Sequence, residues 1–219
     1  MDPNVELLRG FSTCDVSDAL CKLKFPHGGV LSGLTMWSPD RQSGNITIVG
    51  PAYTVQYVPL SDPAPKHPAH YIDSIPPGAV VFVSYPKPTP VAVYGGMMST
   101  RAQASQAVGS VIDGRFRDLR EHRNLGYPVF ARDISTAPPY GEVKISAVQV
   151  PVRVQSPGQN LEIFPGDYLI GDADGVVVLR KELVNEVLPL MRKQVKADNL
   201  VREAIKSGMA FSEAVAKYR

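Results

Sequence analysis

Two stretches of the chain hold residue types that could do chemistry together. The first is Tyr94-Gly95-Gly96-Met97-Met98-Ser99-Thr100, where a strand feeds a diglycine turn that opens a helix. Glycine lets the backbone come close to a ligand. The first N–H groups of a helix lack partners within it and sit at its positive end, an arrangement that suits a carboxylate or phosphate. The same letters also read as a plain strand-to-helix turn. The later glycine and lysine of a phosphate loop or dinucleotide fingerprint are missing.

The second stretch runs Ile112-Asp113-Gly114-Arg115-Phe116-Arg117-Asp118-Leu119-Arg120-Glu121-His122-Arg123. It reads as a strand end, a glycine turn and a helix, the place where α/β proteins hold ligands. Arginine can grip a carboxylate through two parallel hydrogen bonds. Aspartate is a hard oxygen ligand suited to Mg²⁺ or Mn²⁺. A solvated, ion-paired helix face is the competing reading. It is the one taken for Arg120, Glu121 and Arg123, while Arg117 and Asp118 stay open between the two.

The remaining conspicuous residues read as structural. His67 and His70 are spaced too loosely for paired metal ligation and read as surface or loop packing. Asp172-Ala173-Asp174-Gly175 lacks most ligands of a calcium loop and reads as a hairpin turn. No serine stands in a nucleophile elbow. Cys14 and Cys21 read as free thiols.

The elements that must position these residues follow from pattern. Val5 to Leu23 reads as helix, with Ser12, Thr13 or Asp15 able to cap its second part. Ile46 to Val58 reads as two strand segments joined by a bend at Gly50-Pro51. Ala79–Ser84 is a continuous apolar run, the mark of a strand covered on both faces. Helix is expected from about Met97 to Val108 and from Arg117 to Leu125, and strand over Val111–Gly114 and Val129–Arg132. Val143 to Val154 reads as one or two strands. Tyr168–Gly171 and Gly175–Leu179 form a hairpin, and a helical tail runs from Lys181 to Arg219 with a break at Gly208. Strand and helix alternate in the middle while antiparallel strands flank them, so the class is mixed α/β rather than purely parallel.

Composition narrows the function. The 219 residues include 23 basic and 21 acidic side chains, a net charge of +2, which argues against a nucleic-acid stripe or a membrane-binding face. No stretch approaches the ~20 apolar residues of a membrane span. The acidic N-terminal segment reads as lacking a secretory signal, and a cytoplasmic location is expected.

Gly96, then twenty residues, then Arg117-Asp118 resembles the signature of the RraA-like family, named after the regulator of ribonuclease activity A. That family includes class II 4-hydroxy-4-methyl-2-oxoglutarate aldolases and oxaloacetate decarboxylases. The likeness extends in order through Ser12–Leu20, Val49–Val55, Ile75–Val81, Pro165–Asp167 and Gly171–Val177. The resemblance implies a swivelling β/β/α fold with mixed sheets, flanking helices and a C-terminal helical tail. It implies a single domain over residues 1–219, with a core of about 5–180 and a tail of about 181–219. It also implies a homotrimer or hexamer with sites between subunits. Asp118 would hold Mg²⁺ or Mn²⁺, partly through water, and Arg117 with the backbone N–H groups of Gly95, Gly96, Met97 and Met98 would bind a small 2-oxo acid. Arg117 and Asp118 would be the catalytic pair of a metal-dependent lyase giving pyruvate.

In aldolase members the position of Gly96 is often acidic and steadies metal-bound water. Glycine there favours decarboxylation, which requires no base. The rival expectation is a non-catalytic binding or regulatory protein of the ribonuclease-inhibitor type.

Overall fold

The computed structural model describes residues 2–85, 89–156 and 158–219. Two helices lead, α1 (Pro3–Leu8) and α2 (Thr13–Lys22). The single helix expected over Val5–Leu23 is thus broken, because Ser12 and Asp15 form a reciprocal capping box that starts a new helix there. The strands that follow are β1 (Thr35–Ser38), β2 (Ile48–Pro59) and β3 (Val80–Ser84). β4 (Ala92–Tyr94) runs into α3 (Gly96–Ala104), and β5 (Gly109–Phe116) precedes α4 (Leu119–Leu125). Then come β6 (Val129–Ile134), β7 (Val143–Val148), β8 (Val152–Arg153), β9 (Glu162–Ile163), β10 (Tyr168–Asp172) and β11 (Gly175–Leu179). The chain closes with α5 (Val184–Lys206) and α6 (Phe211–Tyr218), separated by Gly208 at φ 95°.

The main sheet is mixed. β2, β3, β5 and β6 run parallel, and β1, β7 and the β10–β11 hairpin add antiparallel edges. Just before β1, Val30 pairs with Val177 and the Leu31 N–H donates to the Val176 carbonyl at 2.8 Å, so the two ends of the sheet meet and nearly close it. Side chains alternate across a strand, and this sorts the core. Met36, Phe82, Val111, Phe130, Leu169 and Val178 fill the inside of the nearly closed sheet. Val81, Val83, Ile112 and Phe116 point the other way, where Met98 of α3 and Leu119 and Leu125 of α4 pack over them. Val177 and Leu179 pack against α2 and α5.

β2 is one twelve-residue strand, not two. At Gly50-Pro51 it does not break but changes neighbours, from β10 to β3. A side chain at Gly50 would strike the Gly78 carbonyl, so glycine is what lets the two backbones approach. The expected turn at Asp113-Gly114 is also corrected. β5 continues through it, because Arg115 and Phe116 still pair with β4 on one side and β6 on the other. Arg117 and Asp118 therefore lie ahead of α4, in the connection from β5, and not inside a helix starting at Arg117. Among the described residues no helix is long and apolar enough to cross a membrane.

Candidate functional site

β4 and β5 run parallel, with Tyr94 opposite Phe116, so their C-terminal ends stop side by side. Each is followed at once by a helix, and the two connections are tied together. The Arg117 N–H donates to the Tyr94 carbonyl at 3.0 Å. The Gly96 N–H, at the start of α3, donates to Asp118 Oδ2 at 3.0 Å. Asp118 itself is left-handed, φ 66° and ψ 38°, a conformation aspartate tolerates better than most residues but still at a cost. Its carboxylate also lies 3.5 Å from Arg117 Nε, and both side chains are about one-third exposed.

Both glycines lie close under acidic side chains. A Cβ on Gly95 would lie 2.8 Å from Asp118 Oδ2, and one on Gly96 would overlap the Glu121 carboxylate. Glu121, read from the letters as part of a solvated face, thus has its carboxylate over the diglycine turn. An acidic group stands beside position 96, from the first turn of α4. No spacing within Gly95-Gly96 signals this. The clue available was that Glu121 stands three residues beyond Asp118, the separation that brings side chains together on a helical turn.

His122, unassigned in the sequence, braces the corner from behind. It is fully buried; its Nε2–H donates to the Arg117 carbonyl at 2.7 Å, and its Nδ1 accepts from Ser99 Oγ at 2.8 Å. A carbonyl only accepts, so the first bond fixes the tautomer. Burial lowers the His122 pKa from its ordinary value, against the opposing pull of the Arg117 carbonyl, Asp118 and Glu121. From Ser99 the buried polar chain continues to the Tyr94 hydroxyl, Ser110 and Tyr127. Burial pushes the Tyr94 phenol up to about 12, so the chain is neutral.

Gly95, Gly96, Met97, Met98, Arg117 and Asp118 all line one cavity of about 140 Å³. Tyr57, Pro139 and Tyr140, which the sequence did not single out, also line it, as does His70, which the letters read as surface or loop packing. A larger hollow of about 750 Å³ lies between α2 and the C-terminal helices, lined by residues such as Lys22, Leu190, Lys193 and Lys196. Its described lining residues come from α2, α5, α6 and the C-terminal Arg219.

As for a metal, no three His, Cys, Asp or Glu side chains converge among the described residues. The donors available at the corner are the Asp118 and Glu121 carboxylates. Two hard oxygen groups fit Mg²⁺ or Mn²⁺, which keep several waters, better than a zinc-type ion that seeks nitrogen and sulfur.

The family model described as RraA-like, Aldolase/RraA, matches residues 13–178. The chain belongs to the RraA-like family. It is 28% identical over 219 residues to Protein DlpA of Legionella pneumophila, covering 99% of this chain but 34% of that protein, so it spans about a third of the length of this relative. It is 33% identical over 159 residues to a Halalkalibacterium halodurans protein named "Putative 4-hydroxy-4-methyl-2-oxoglutarate aldolase", covering 73% of this chain and 71% of the relative. The crystal structure of an uncharacterized protein from Pseudomonas syringae pv. tomato superposes with a TM-score of 0.83 at 30% identity, over 98% of this chain and 97% of that one. The fold is the RraA-like one expected from the motifs.

Proposed function

We propose that the chain is a divalent-metal-dependent carbon–carbon lyase that acts on a small 2-oxo acid and releases pyruvate. The substrate would be oxaloacetate, by decarboxylation, or a 4-hydroxy-2-oxo acid of the 4-hydroxy-4-methyl-2-oxoglutarate kind, by retro-aldol cleavage. The observation that carries this reading is the convergence of Arg117, Asp118 and the start of α3 on one cavity. Asp118, with Glu121 beside it, would hold Mg²⁺ or Mn²⁺, which when bound supplies Lewis-acid stabilisation of charge developing on the keto oxygen.

The chain's own groups do the rest. Arg117 binds the carboxylate end and donates to the developing enolate. The positive end of α3 favours the same anion. In decarboxylation the C3–C4 electron pair passes into the enolate as carbon dioxide leaves, and C3 then takes a proton from water. In retro-aldol cleavage the C4 hydroxyl must first lose its proton. The Glu121 carboxylate, which overhangs Gly96, would accept it through a water. Glycine at position 96 still favours decarboxylation, which needs no base, and Glu121 is the acid on which the aldol route would draw.

Assembly as a homotrimer or hexamer belongs to this reading and is measured by analytical ultracentrifugation. Pyruvate release from oxaloacetate and from 4-hydroxy-4-methyl-2-oxoglutarate, with EDTA and with added Mg²⁺ or Mn²⁺, tests the activity. Chelator-sensitive release is the expected result. Release from neither substrate would favour a non-catalytic binding protein of the ribonuclease-inhibitor type.

A further inference from the structure

Ser99 and His122 are both fully buried although each carries polar atoms. Burying such groups unpaired is costly, so a fold that keeps them must bond them. A hydroxyl on a helix commonly returns its proton to the carbonyl four residues back. Thr100 does this, donating to the Gly96 carbonyl at 3.2 Å. Ser99, one residue earlier on α3, reaches across to α4 instead and meets His122 Nδ1 at 2.8 Å. Tyr94 Oη lies farther off, at 3.3 Å, and a phenol oxygen accepts less well than an imidazole nitrogen. The single Ser99 proton therefore goes to His122.

The imidazole is held from its faces as well. It stacks on Tyr94 with centroids 5.9 Å apart and meets Phe116 edge-on at 5.2 Å. Tyr94 and Phe116 pair with each other at the ends of β4 and β5. The ring thus rests on two strand ends, with one nitrogen tied to α3 and the other to the Arg117 carbonyl at 2.7 Å. A rigid ring engaged at both nitrogens is a strut. It spans from α3 to the turn that carries Arg117 and Asp118. The Gly96 N–H, donating to Asp118 Oδ2, ties the same two elements a second time. Ser99, His122, Tyr94 and Phe116 are all buried within one chain, so the strut is set by the subunit's own fold.

We infer that Ser99 is a positioning residue for this site: acting through His122, it fixes the spacing between the start of α3 and the Arg117-Asp118 turn, and with it the aim of Arg117. Its effect on rate rests on the lyase reading above; its geometry does not. Ser99 touches no substrate in this role, and the hydroxyl is needed only as a donor to the ring.

The test is a double-mutant cycle on Ser99→Ala and His122→Leu, read by pyruvate release from oxaloacetate and from 4-hydroxy-4-methyl-2-oxoglutarate in Mg²⁺. Ser99→Ala should lower kcat/KM about five-fold, the worth of one hydrogen bond in a buried site. The loss should fall mainly on kcat, because a misaimed donor is felt most where charge develops. In the His122→Leu background the same substitution should lower the rate no further, since the strut is already gone. A second readout needs no turnover. At neutral pH the wild-type ¹⁵N resonance of His122 Nδ1 should be that of a hydrogen-bonded acceptor, and Ser99→Ala should move it to that of a free ring nitrogen. Losses that add across the cycle overturn the inference while leaving the lyase reading intact. So does a Ser99→Ala variant as fast as the wild type, or a wild-type Nδ1 resonance with no sign of a bonded donor. No pyruvate from either substrate in the wild type overturns the lyase reading alone. The strut then stands or falls on the Nδ1 resonance and on amide hydrogen exchange at Arg117, which Ser99→Ala should speed and which an absent strut would leave unchanged.

Discussion

Asp113 on β5 and Asp118 just past its end stand five residues apart, each beside an arginine, and they could hardly be treated more differently. Asp113 is fully buried. Its Oδ1 accepts from Arg132 Nε at 2.7 Å and its Oδ2 from the Gln155 N–H, while Arg132 also reaches the Ser32 carbonyl and Ser156. Both Asp113 oxygens have partners within the fold, and the pair stitches β5 and β6 to the segments before β1 and after β8. Arg117 and Asp118, just past the end of the same strand, meet at only 3.5 Å and stay about one-third exposed, on a backbone held left-handed. The same residue types make a clasp where they are saturated and an open site where they are not. Unspent hydrogen-bonding capacity facing a cavity separates the two, not the presence of charge.

The sharpest way to break the comparison is to remove one acid from each pair. Asp113→Ala leaves Arg132 mostly buried without its counterion, and about 3 kcal/mol of stability should be lost, as for other broken buried pairs. A urea midpoint measures it. Arg117→Ala should leave that midpoint within about 0.5 kcal/mol but lower kcat/KM for pyruvate release by at least ~10²-fold, the worth of one such donor. Asp118→Asn, which keeps a residue tolerant of the left-handed backbone, should abolish the Mg²⁺ or Mn²⁺ dependence with similarly little loss of stability. If Asp113→Ala proved harmless to folding, or Arg117→Ala harmless to turnover, the division between clasp and site would fail.

Acid should sharpen the same contrast. Burial pushes the Asp113 carboxyl up from 3.8 to about 6, against the opposing pull of Arg132 and the Gln155 N–H. A carboxyl whose folded pKa is raised adds stability that is full below its unfolded value and lost as pH rises through the folded one. Between about pH 4 and pH 6 the wild type should therefore lose stability relative to Asp113→Asn. Midpoints measured at each pH should show the gap change sharply over that window and level off above it.

The sequence made some of this legible and hid the rest for a physical reason. Gly95-Gly96 and Arg117-Asp118 could be read because close backbone approach demands glycine and because carboxylate recognition and hard-ion binding demand those side chains. Ala79–Ser84 could be read as a buried strand from its unbroken apolar run. The other lining residues could not. Tyr57, His70 and Tyr140 come from β2, from the segment after it and from the loop after β6, and only the long-range pairing of β2 with β3, β3 with β5 and β5 with β4 brings them to the start of α3. The place where β5 ends was misread for a similar reason. Gly114 looks like a turn in isolation, but paired strands on both sides hold it extended. In the run of charged letters that reads as solvated surface, Glu121 is exposed as expected while its carboxylate overhangs the diglycine turn, and His122 is buried behind it.

His122 supplies the mildest test, because it acts on the open pair through the backbone and not by touching a substrate. Its Nε2–H holds the Arg117 carbonyl, and through it the turn that sets the Arg117 and Asp118 side chains. His122→Leu removes that donor and leaves Ser99 Oγ without its acceptor, so kcat/KM should fall about ten-fold, the scale of one lost hydrogen bond in a buried network. His122→Gln, which can still donate to the carbonyl, should recover part of the loss. Because burial lowers the His122 pKa, the neutral ring adds stability that is present above its unfolded value near 6.5 and lost as pH falls through the lower folded value. Acidification below that point should therefore loosen the corner in the wild type and not in His122→Gln. The tautomer supplies the decisive readout: ¹⁵N spectra should show an Nε2–H ring that stays neutral below pH 6.5. A ring protonated at its ordinary pKa would mean that His122 is solvated and does not brace the turn.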